Sequence, residues 1–418
     1  MDNPVAPAIL SSMENTTDIA IVGGGLNGPA LALALAQAGM TVTIIDALSR
    51  PVHDDAEFDG RAYALALASV RLLRALGLWD RLAGDTQPML EIKVSDGRAG
   101  EGPLSPFFVH FDHAEIEEGP MGHMCEDRFL RRALLAAMDL EPRITQRTGE
   151  TVTGQETAPG GAILTLASGE RVAARLIVGS DGRQSGTARR AGIARTGWDY
   201  GQTALVCSIE HERPHHGIAH QFFMPPGPLA ILPLPGNVSN IVWSESAATA
   251  RDFAALDDAD FLHVLRPRFG DFLGEIAIKG PRYNYPLGLS LANRFIAERV
   301  ALVGDAAHGL HPIAGQGLNA GLRDVAALAQ VLTEAQRRGE DIAAPDVLRR
   351  YEQWRRFDTQ TLALATDASN RLFSNDNPLL RAARHLGMGA LGAMPGLRRG
   401  FIREAAGLTG ELPALMKG

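Results

Sequence analysis

The chain has 418 residues, a formal net charge of −8 and 45% hydrophobic residues, which suits a globular protein with a core large enough for two domains. The acidic balance disfavours a nucleic-acid partner. Cys125 and Cys207 are the only cysteines, which excludes a disulfide-rich scaffold and fits a reducing compartment. No cysteine and histidine cluster has the spacing of a metal site.

Residues 1–16 are polar and acidic, so we predict a disordered lead and neither a signal peptide nor a transit peptide. No apolar run reaches the roughly 18 residues that a membrane-spanning helix needs. We therefore expect a cytoplasmic protein, with any membrane contact peripheral and on the inner face.

The first motif is a glycine-rich turn that predicts a dinucleotide site. The apolar run Ile19–Val22 is typical of a buried parallel strand, and Gly23, Gly25 and Gly28 follow it in the pattern G-x-G-x-x-G. These glycines allow a tight turn, a close approach of a pyrophosphate and close packing of the next helix, whose N-terminus favours phosphate. Asp46 ends the following strand, where a carboxylate can bind ribose hydroxyls.

The glycine pattern alone is weak evidence, because Gly387–Gly392 matches it too. That second match follows an arginine-rich segment of helical character instead of a strand, so we interpret it as loop or packing glycines. Only the stretch from Gly23 to Gly28 combines strand, turn, helix, second strand and terminal acid.

Two later predicted strands are each followed directly by polar residues. Arg171–Gly179 leads into Asp181 and Gly182, which is either a ligand-binding turn or a plain Asp-Gly turn. Val300–Val303 leads into Asp305, at the strand end where open α/β sheets bind ligands.

A glycine-flanked segment follows Asp305 and opens a predicted helix that runs to about Arg337. Such a helix start suits an electron-rich flavin ring and its polar chain. His308 and His311 precede the helix, and either hydrogen bonding near a flavin or a structural role suits them.

These stretches resemble the flavoprotein hydroxylases of the para-hydroxybenzoate hydroxylase fold. More narrowly, the chain resembles the ubiquinone-biosynthesis hydroxylases of the UbiH/UbiF/COQ6 family over about residues 17–415. The segments that carry the resemblance are His311–Asn319 with Gly321 and Asp324, Phe58–Leu65, Leu76–Trp79, Gly227–Pro233 and Tyr285–Leu287.

The resemblance implies an FAD site and assigns residues to it. Asp305, after Gly304, would bind the ribityl chain, and Asp181 would span towards pyrophosphate and nicotinamide. Arg61 and Arg128 would line the cofactor groove. The residues implied around the isoalloxazine ring are Gly315, Gln316, Gly317, Leu318 and Asn319.

Two positions depart from the family pattern. Asp46 stands where the family usually has Glu. Its side chain is one methylene shorter, so the ribose must lie closer to this strand for the carboxylate to bind it. The usual arginine after the Asp-Gly pair falls on Ala188, with Arg189 and Arg190 directly after it. The second departure weakens the assignment of Asp181 without affecting the fold.

The predicted fold class is α/β, with an FAD-binding Rossmann-like domain interleaved with an antiparallel-sheet substrate domain and followed by C-terminal helices. The FAD-binding domain is assigned residues 17–80, 120–200 and 290–345. Residues 81–119 and 201–289 are assigned to the substrate domain, and residues 346–418 to the C-terminal helical region.

The resemblance implies an FAD-dependent monooxygenase that hydroxylates a polyprenylated phenol through a flavin C4a-hydroperoxide. O2 is the second substrate, and other quinone-biosynthesis proteins are implied partners. The sequence has no second strand, glycine turn and helix unit for a nicotinamide dinucleotide. We therefore expect NAD(P)H to bind transiently, or an electron-transfer partner to reduce the flavin.

The segment from Pro378 to Leu408 mixes large apolar residues with arginines. It is either a helical cap with solvated arginines or a basic amphipathic membrane contact. Under the second interpretation, an anionic membrane would bind the arginines, and salt would release the protein. The arginines concerned are Arg381, Arg384, Arg398, Arg399 and Arg403.

Three alternative functions stay open at this stage. The first is a hydroxylase of a small soluble aromatic compound, although the apolar segments Phe222–Met224 and Leu229–Leu232 suit a strongly apolar substrate. A flavin halogenase is disfavoured because no W-x-W motif is present. The third is a non-catalytic flavin-fold scaffold. Tyr283 and Tyr285 are candidate phenol contacts, or aromatic core residues.

Overall fold

The computed structural model describes residues 16–53, 60–96, 108–311, 315–374, 384, 387–390 and 394–418. The predicted lead lies outside these ranges except for Thr16, which begins the first strand. Pro312, Arg381 and part of the second glycine pattern also lie outside them.

The strands of the described residues form three sheets. In chain order they are β1 Thr16–Val22, β2 Val42–Asp46, β3 Ala62–Ala66, β4 Thr86–Met89, β5 Glu91–Asp96, β6 Phe108–Asp112, β7 Gly122–Glu126, β8 Ile144–Thr148, β9 Val152–Ala158, β10 Gly161–Leu166, β11 Arg171–Gly179, β12 Arg195–His211, β13 Ile218–Met224, β14 Gly227–Leu234, β15 Val238–Ser246, β16 Ile276–Ala292, β17 Ile296–Ala297, β18 Val300–Leu302 and β19 His308–Gly309.

The α-helices lie between and after these strands. In chain order they are α1 Asn27–Gln37, α2 Arg50–His53, α3 Leu67–Ala75, α4 Trp79–Leu82, α5 Asp127–Asp139, α6 Gly186–Arg190, α7 Ala247–Ala254, α8 Asp258–Phe269, α9 Gln316–Arg337, α10 Pro345–Phe373 and α11 Pro395–Ala405.

The first sheet brings the three sequence motifs to one edge. Its path is β17-β18-β11-β1-β2-β8, and β1 is parallel to both β11 and β2. The register pairs Val22 with Gly179, and Gly179 with Leu302. Because these parallel strands end level with one another, the loops after β1, β11 and β18 meet at their carboxyl ends.

The second sheet has the order β19-β16-β12-β15-β14-β13-β5-β6 and is antiparallel apart from the β13 and β5 pair. Alternate residues of its central strands, such as Leu205, Cys207 and Trp243, pack with Phe261 and Leu265 of α8. The helices therefore cover one face. We call the opposite face, which carries Val206 and Val242, the inner face.

The remaining elements link these two sheets. The third sheet, β3-β7-β4, contacts the second sheet through β14. Helix α10 packs on α9, and Tyr351 of α10 donates a hydrogen bond to the Leu302 carbonyl at 2.7 Å. The predicted α/β class with an antiparallel sheet and C-terminal helices is confirmed.

Three of these C-terminal arginines have acidic partners, whereas Arg399 donates to the Pro395 carbonyl at 3.4 Å. Arg384 is 5% exposed and bonds to Asp96 at 2.8 Å, so the prediction that it meets an anionic surface is wrong. Arg398 pairs with Glu115 at 2.7 Å, and Arg403 pairs with Glu118. These carboxylates lie about 280 residues earlier in the chain; Arg398 and Glu115, for example, are 283 residues apart. The local sequence around the arginines therefore did not reveal them.

Within the described residues, no helix combines the length and the apolar character needed to cross a membrane.

Candidate active site

The turn after β1 has a backbone that only glycine accommodates. Gly23 has φ +112°, and a Cβ there would lie 2.3 Å from the Ser180 carbonyl oxygen. A Cβ at Gly28 would lie 2.0 Å from the carbonyl oxygen of Gly23. At Gly25, in contrast, nothing lies within 4 Å of that position, so its backbone faces open space. This arrangement fits the approach of a phosphate group.

The Asp46 carboxylate is hydrogen-bonded to the same turn. Its Oδ2 accepts a hydrogen bond from the Gly24 amide, and its Oδ1 accepts one from Leu48 N at 2.6 Å. His53 Nε2 lies 3.2 Å from Oδ1, a contact that the sequence did not indicate. The carboxylate is therefore positioned beside the glycine turn, and its contact with ribose stays a prediction.

Asn27 joins the first motif to the third. A Cβ at Gly304, which has φ +60°, would lie 2.2 Å from Asn27 Nδ2, and one at Gly321 would lie 2.5 Å from the same atom. Both glycines are thus needed for Asn27 to fit. Sequence reasoning missed Asn27, because its packing partners lie almost 300 residues further along the chain.

Asp305 lies at the end of β18, as predicted, and Arg183 Nε bonds to its Oδ2 at 3.2 Å. Arg183 Nη2 also donates to the Leu310 carbonyl at 2.9 Å. The two charged side chains are 41% and 44% exposed, so this ion pair contributes little to stability. The carboxylate remains accessible to a ligand. Arg183 was missed, although it follows Asp181 and Gly182 directly.

Asp181 caps helix α6 from the end of β11. One carboxylate oxygen accepts from Ser185 Oγ at 2.5 Å, and the other accepts from both N and Oγ1 of Thr187 at 2.9 Å. Three local hydrogen bonds thus fix the loop between β11 and α6. The implied contact of Asp181 with a cofactor stays a prediction.

A glycine in the left-handed region of backbone conformation and a buried asparagine side chain lie at the start of α9. Gly315 has φ +62° and precedes the helix, while Gly317 has open space where a Cβ would lie. Asn319 accepts from Ala66 N at 2.9 Å and from Ser69 Oγ at 2.8 Å. Asn319 therefore fastens α9 to β3 and α3. Gln316 and Leu318 are half-buried at the same helix start.

Arg61 and Arg128 lie together because β3 pairs with β7, with Ala62 opposite Glu126. Arg61 lies 3.6 Å from the carboxylate of Asp127, and Arg128 bonds to Glu126 at 2.6 Å. Both arginines are at least one-third exposed. Their role in a cofactor groove stays a prediction.

A buried ionic cluster supports the loop after β18. Asp324 of α9 accepts from His308 Nε2 at 2.5 Å, from Arg355 Nε at 2.8 Å and from the Gly304 amide at 3.0 Å. Burial acts to raise the pKa of Asp324, but His308 and Arg355 outweigh it and hold that pKa below its ordinary value. The charged carboxylate thereby fixes the loop that carries Asp305.

His311, at the other end of this loop, is uncharged at neutral pH. Burial, aided by the positive charge of Arg183, lowers the pKa of His311 to about 4. Its ring meets Tyr200 edge-on with centroids 5.1 Å apart, and the Tyr200 hydroxyl donates to Asp367 at 3.0 Å. Both histidines thus have structural contacts within the described residues.

The inner face of the second sheet carries half-buried apolar side chains. Leu232 and Val242 are only half-buried although they lie in interior strands, whose other face is covered by helices. Ala62 and Ala64 of β3 are also half-buried, and a Cβ at Gly315 would lie 3.1 Å from Ala64 Cβ. This half-buried part of the inner face is therefore apolar, and Ala64 lies between it and the glycine at the start of α9.

The arrangement fits FAD. The open backbones at Gly25 and Gly317 leave room for groups that a side chain would displace. The N-termini of α1 and α9 supply the amides and partial positive charge that suit an anionic, electron-rich ligand. Asp46 and Asp305 supply carboxylates for hydroxyl groups.

Comparison with known proteins agrees with this geometry. Residues 16–364 match the family described as an FAD binding domain. The chain is 47% identical to ubiquinone hydroxylase UbiL of Rhodospirillum rubrum, over 98% of this chain and 95% of that protein. It is 36% identical to 3-demethoxyubiquinol 3-hydroxylase of Escherichia coli, over 94% and 99% of the two chains.

Solved structures share the fold at lower identity. The p-nitrophenol 4-monooxygenase PnpA of Pseudomonas putida superposes with a TM-score of 0.78 at 20% identity, over 95% of this chain and 99% of that one. A variant of HpxO from Klebsiella pneumoniae, solved with FAD, gives 0.73 at 20% identity, over 93% and 98%. Family match, relatives and site agree: the chain belongs to the FAD-dependent ubiquinone-biosynthesis hydroxylases, and FAD is its cofactor.

Proposed function

We propose that this enzyme hydroxylates the aromatic ring of a polyprenylated phenol in ubiquinone biosynthesis. The observation that supports the proposal is the half-buried apolar part of the inner face, which lies next to the start of α9 through Ala64. Leu232 and Val242, which are both half-buried, offer a hydrocarbon surface to an aromatic ring. Family membership supplies the reaction class.

The reaction converts a ring C–H to C–OH, with one atom of O2 entering the ring and the other leaving as water. FAD, when bound and reduced, supplies the chemistry that activates O2. The protein holds the ring beside the cofactor and excludes water. NAD(P)H supplies two electrons, either directly and transiently or through an electron-transfer partner.

We propose that residues 17–80, 120–200 and 290–345 hold FAD, and that residues 81–119 and 201–289 hold the phenol. The strands support the division in part. Strands β1 (apart from Thr16), β2, β11 and β18 of the first sheet lie within the first set of ranges, and β13, β14 and β15 of the second sheet lie within residues 201–289, while β12 and β16 cross the boundaries. The backbones of Gly25 and Gly317 would face the cofactor. Asp305 would hold its hydroxylated chain.

The function is tested by product formation. Purified enzyme, NADH or NADPH, O2 and a prenylated phenol should yield a hydroxylated ring whose new oxygen comes from labelled O2. A small phenol without the prenyl chain serves as the matched substrate control. Equal turnover of the two would favour the small-aromatic alternative, and binding of FAD without any turnover would favour a scaffold.

Complementation extends the test to the cell. Strains blocked at single ring-hydroxylation steps of ubiquinone synthesis report which ring position is hydroxylated. Rescue of one strain supports the proposal. Failure to rescue any strain, with the protein present and loaded with FAD, would contradict it.

We further propose a peripheral membrane contact through α11. Met394, Leu397 and Phe401 lie on one side of this helix and are 50%, 52% and 53% exposed, while Ile402 packs into the protein. Because Arg398 and Arg403 are paired with glutamates, apolar insertion is favoured over attraction to anionic lipid.

The protein should therefore float with vesicles of neutral phosphatidylcholine, and high salt should release little of it. Replacing Leu397 and Phe401 by Gln should reduce flotation several-fold because it removes apolar contact with the acyl chains. Replacing Phe357 and Leu364 of α10, which are 73% and 71% exposed, is the matched control. Equal loss in both double variants would contradict the proposed α11 contact.

A further inference from the structure

His53 is a buried histidine beside the glycine turn that no motif of the sequence accounts for. It ends the short helix α2, is 5% exposed, and places Nε2 3.2 Å from Oδ1 of Asp46. Because an ionised carboxylate only accepts hydrogen bonds, Nε2 must carry a proton and donate it to Asp46. The other ring nitrogen, Nδ1, is buried without a hydrogen-bond partner among the described residues. A ring that only filled space would bury this nitrogen at a cost, so the bond to Asp46 is its contribution here.

The Asp46 carboxylate has most of its acceptor sites filled. Oδ1 accepts from Leu48 N at 2.6 Å and from His53, and Oδ2 accepts from the Gly24 amide. A carboxylate has about four lone-pair sites, so within the described residues these bonds leave one site open, on Oδ2. The Asp46 side chain is 14% exposed, so the carboxylate still reaches the surface.

Asp46 Oδ2 lies against the turn that fits a phosphate group. A Cβ at Gly24 would lie 2.9 Å from this oxygen, and the next residue, Gly25, has open space where its Cβ would lie. In FAD the adenosine ribose is joined directly to the pyrophosphate, so a phosphate at Gly25 brings the ribose hydroxyls towards Asp46. Because Asp has one rotatable bond fewer than Glu, the direction of its carboxylate decides whether it meets them.

Helix α2 holds His53 in place. Arg50, at the start of this helix, donates to both carboxylate oxygens of Asp139 at 2.9 and 2.8 Å and to Gln146 at 3.3 Å. The His53 amide also donates to the Ser49 carbonyl at 3.3 Å. These bonds tie α2 to α5 and β8, so the His53 ring approaches Asp46 from a fixed direction.

Resting on the proposed placement of FAD, we infer that His53 is a positioning residue for the carboxylate that binds the adenosine ribose. It fills the second acceptor site of Asp46 Oδ1, which fixes the rotation of the carboxylate and directs the open site of Oδ2 to a ribose hydroxyl. The ring is buried, so His53 acts through Asp46 and not by contact with the cofactor.

The test measures nucleotide binding to the full-length apoprotein. ADP carries the adenosine and pyrophosphate of FAD, and 2′-deoxy-ADP and 3′-deoxy-ADP each lack one ribose hydroxyl. Each nucleotide competes with FAD, whose binding is followed by the change in flavin fluorescence. Wild-type protein should bind ADP about tenfold more tightly than the analogue without the hydroxyl that Asp46 binds, which is the effect of one charge-assisted hydrogen bond.

Two variants of His53 separate its donor from its bulk. His53→Leu keeps an apolar side chain of similar size but removes the donor, so it should reduce the preference for ADP about fivefold, the effect of one net hydrogen bond. His53→Gln should restore most of the preference, because its amide nitrogen can donate from nearly the same position. The deoxy analogue should bind both variants as it binds the wild-type protein.

His110→Leu is the matched control. His110 Nε2 also bonds to a carboxylate, that of Glu91 at 2.8 Å, but in the second sheet. This variant should keep the full preference for ADP. In an Asp46→Ala background, which should have no preference, His53→Leu should weaken neither nucleotide further, because His53 acts only through Asp46.

Equal weakening of ADP and its deoxy analogues by His53→Leu would overturn the inference in favour of a structural role. The wild-type preference retained in His53→Leu, or lost in a folded His53→Gln variant, would overturn it as well. If wild-type protein prefers ADP to neither analogue, Asp46 does not bind ribose, and the inference fails with that assignment. None of these outcomes affects the proposed hydroxylation, which fails only if FAD-loaded wild-type enzyme forms no product.

Discussion

The cofactor edge of the first sheet and the inner face of the second sheet are built in different ways. At the cofactor edge, the backbone makes the site: Gly23 and Gly304 have positive φ, and Gly25 leaves its peptide exposed. On the inner face, side chains would make the proposed phenol site, through ordinary residues such as Leu232 and Val242 in regular strands.

The difference shows which changes each region tolerates. A cofactor with many phosphate and hydroxyl oxygens is held by amides and carboxylates in fixed positions, so any new side chain there displaces it. In the proposed phenol site an aromatic ring would be held by apolar contacts, so the inner face can be altered one residue at a time. We therefore expect large effects from changes at the cofactor edge and graded effects on the inner face.

The largest expected effect is on stability, at the cluster that supports the cofactor edge. Asp324→Ala should lower the free energy of unfolding by about 3 kcal/mol, because the buried Arg355 guanidinium loses one of its two carboxylate partners and keeps only Asp358 among the described residues. Urea unfolding measures the change. Asp139→Ala, which breaks the exposed pair with Arg50, should lower it by less than about 1 kcal/mol. Similar values for the two variants would contradict the proposed importance of the cluster.

Gly25→Val should cause the largest loss of flavin, on the order of a hundredfold in affinity, because the branched side chain would occupy the phosphate space. Gly84→Val is the control, since a Cβ at either glycine meets no heavy atom of the protein within 4 Å. Gly39 is a poorer control because its φ is +94°. Gly25 and Gly84 are expected to differ only in that Gly25 faces a phosphate group. Equal flavin occupancy in the two variants would therefore contradict the phosphate site.

Asp305→Ala should weaken FAD binding about tenfold, because charge-assisted hydrogen bonds to the ribityl hydroxyls are lost. Flavin content after purification and fluorescence titration of the apoprotein measure the loss. The matched control, Asp271→Ala, removes an 86% exposed carboxylate that also pairs with an arginine. Full flavin content in Asp305→Ala would show that the ribityl assignment is wrong.

The cofactor edge was largely predictable because its requirements are local. A tight turn demands glycine at fixed spacings, and the strand before it demands a short apolar run. The places of Gly23 and Gly28 in the turn and of Asp305 after β18 were therefore predictable from sequence, while their contacts with FAD stay predictions. Asn27 and Arg183 were missed, since their importance depends on Gly304, Gly321 and Asp305, which other segments bring to them.

Only the tertiary structure decided the remaining features. The arginines of the tail suggested attraction to anionic lipid, but folding brings Asp96 and Glu115 to Arg384 and Arg398 and neutralises their charge. Val206 and Val242 are unremarkable in sequence and become neighbours only through strand register. The sequence by itself determined the glycine turn after β1, because the limits on φ act within a residue and its neighbours. The close packing of Ser180 on Gly23 and of Asn27 on Gly304, the charge pairs and the cross-strand contacts needed the fold, because they act between residues that only folding brings together.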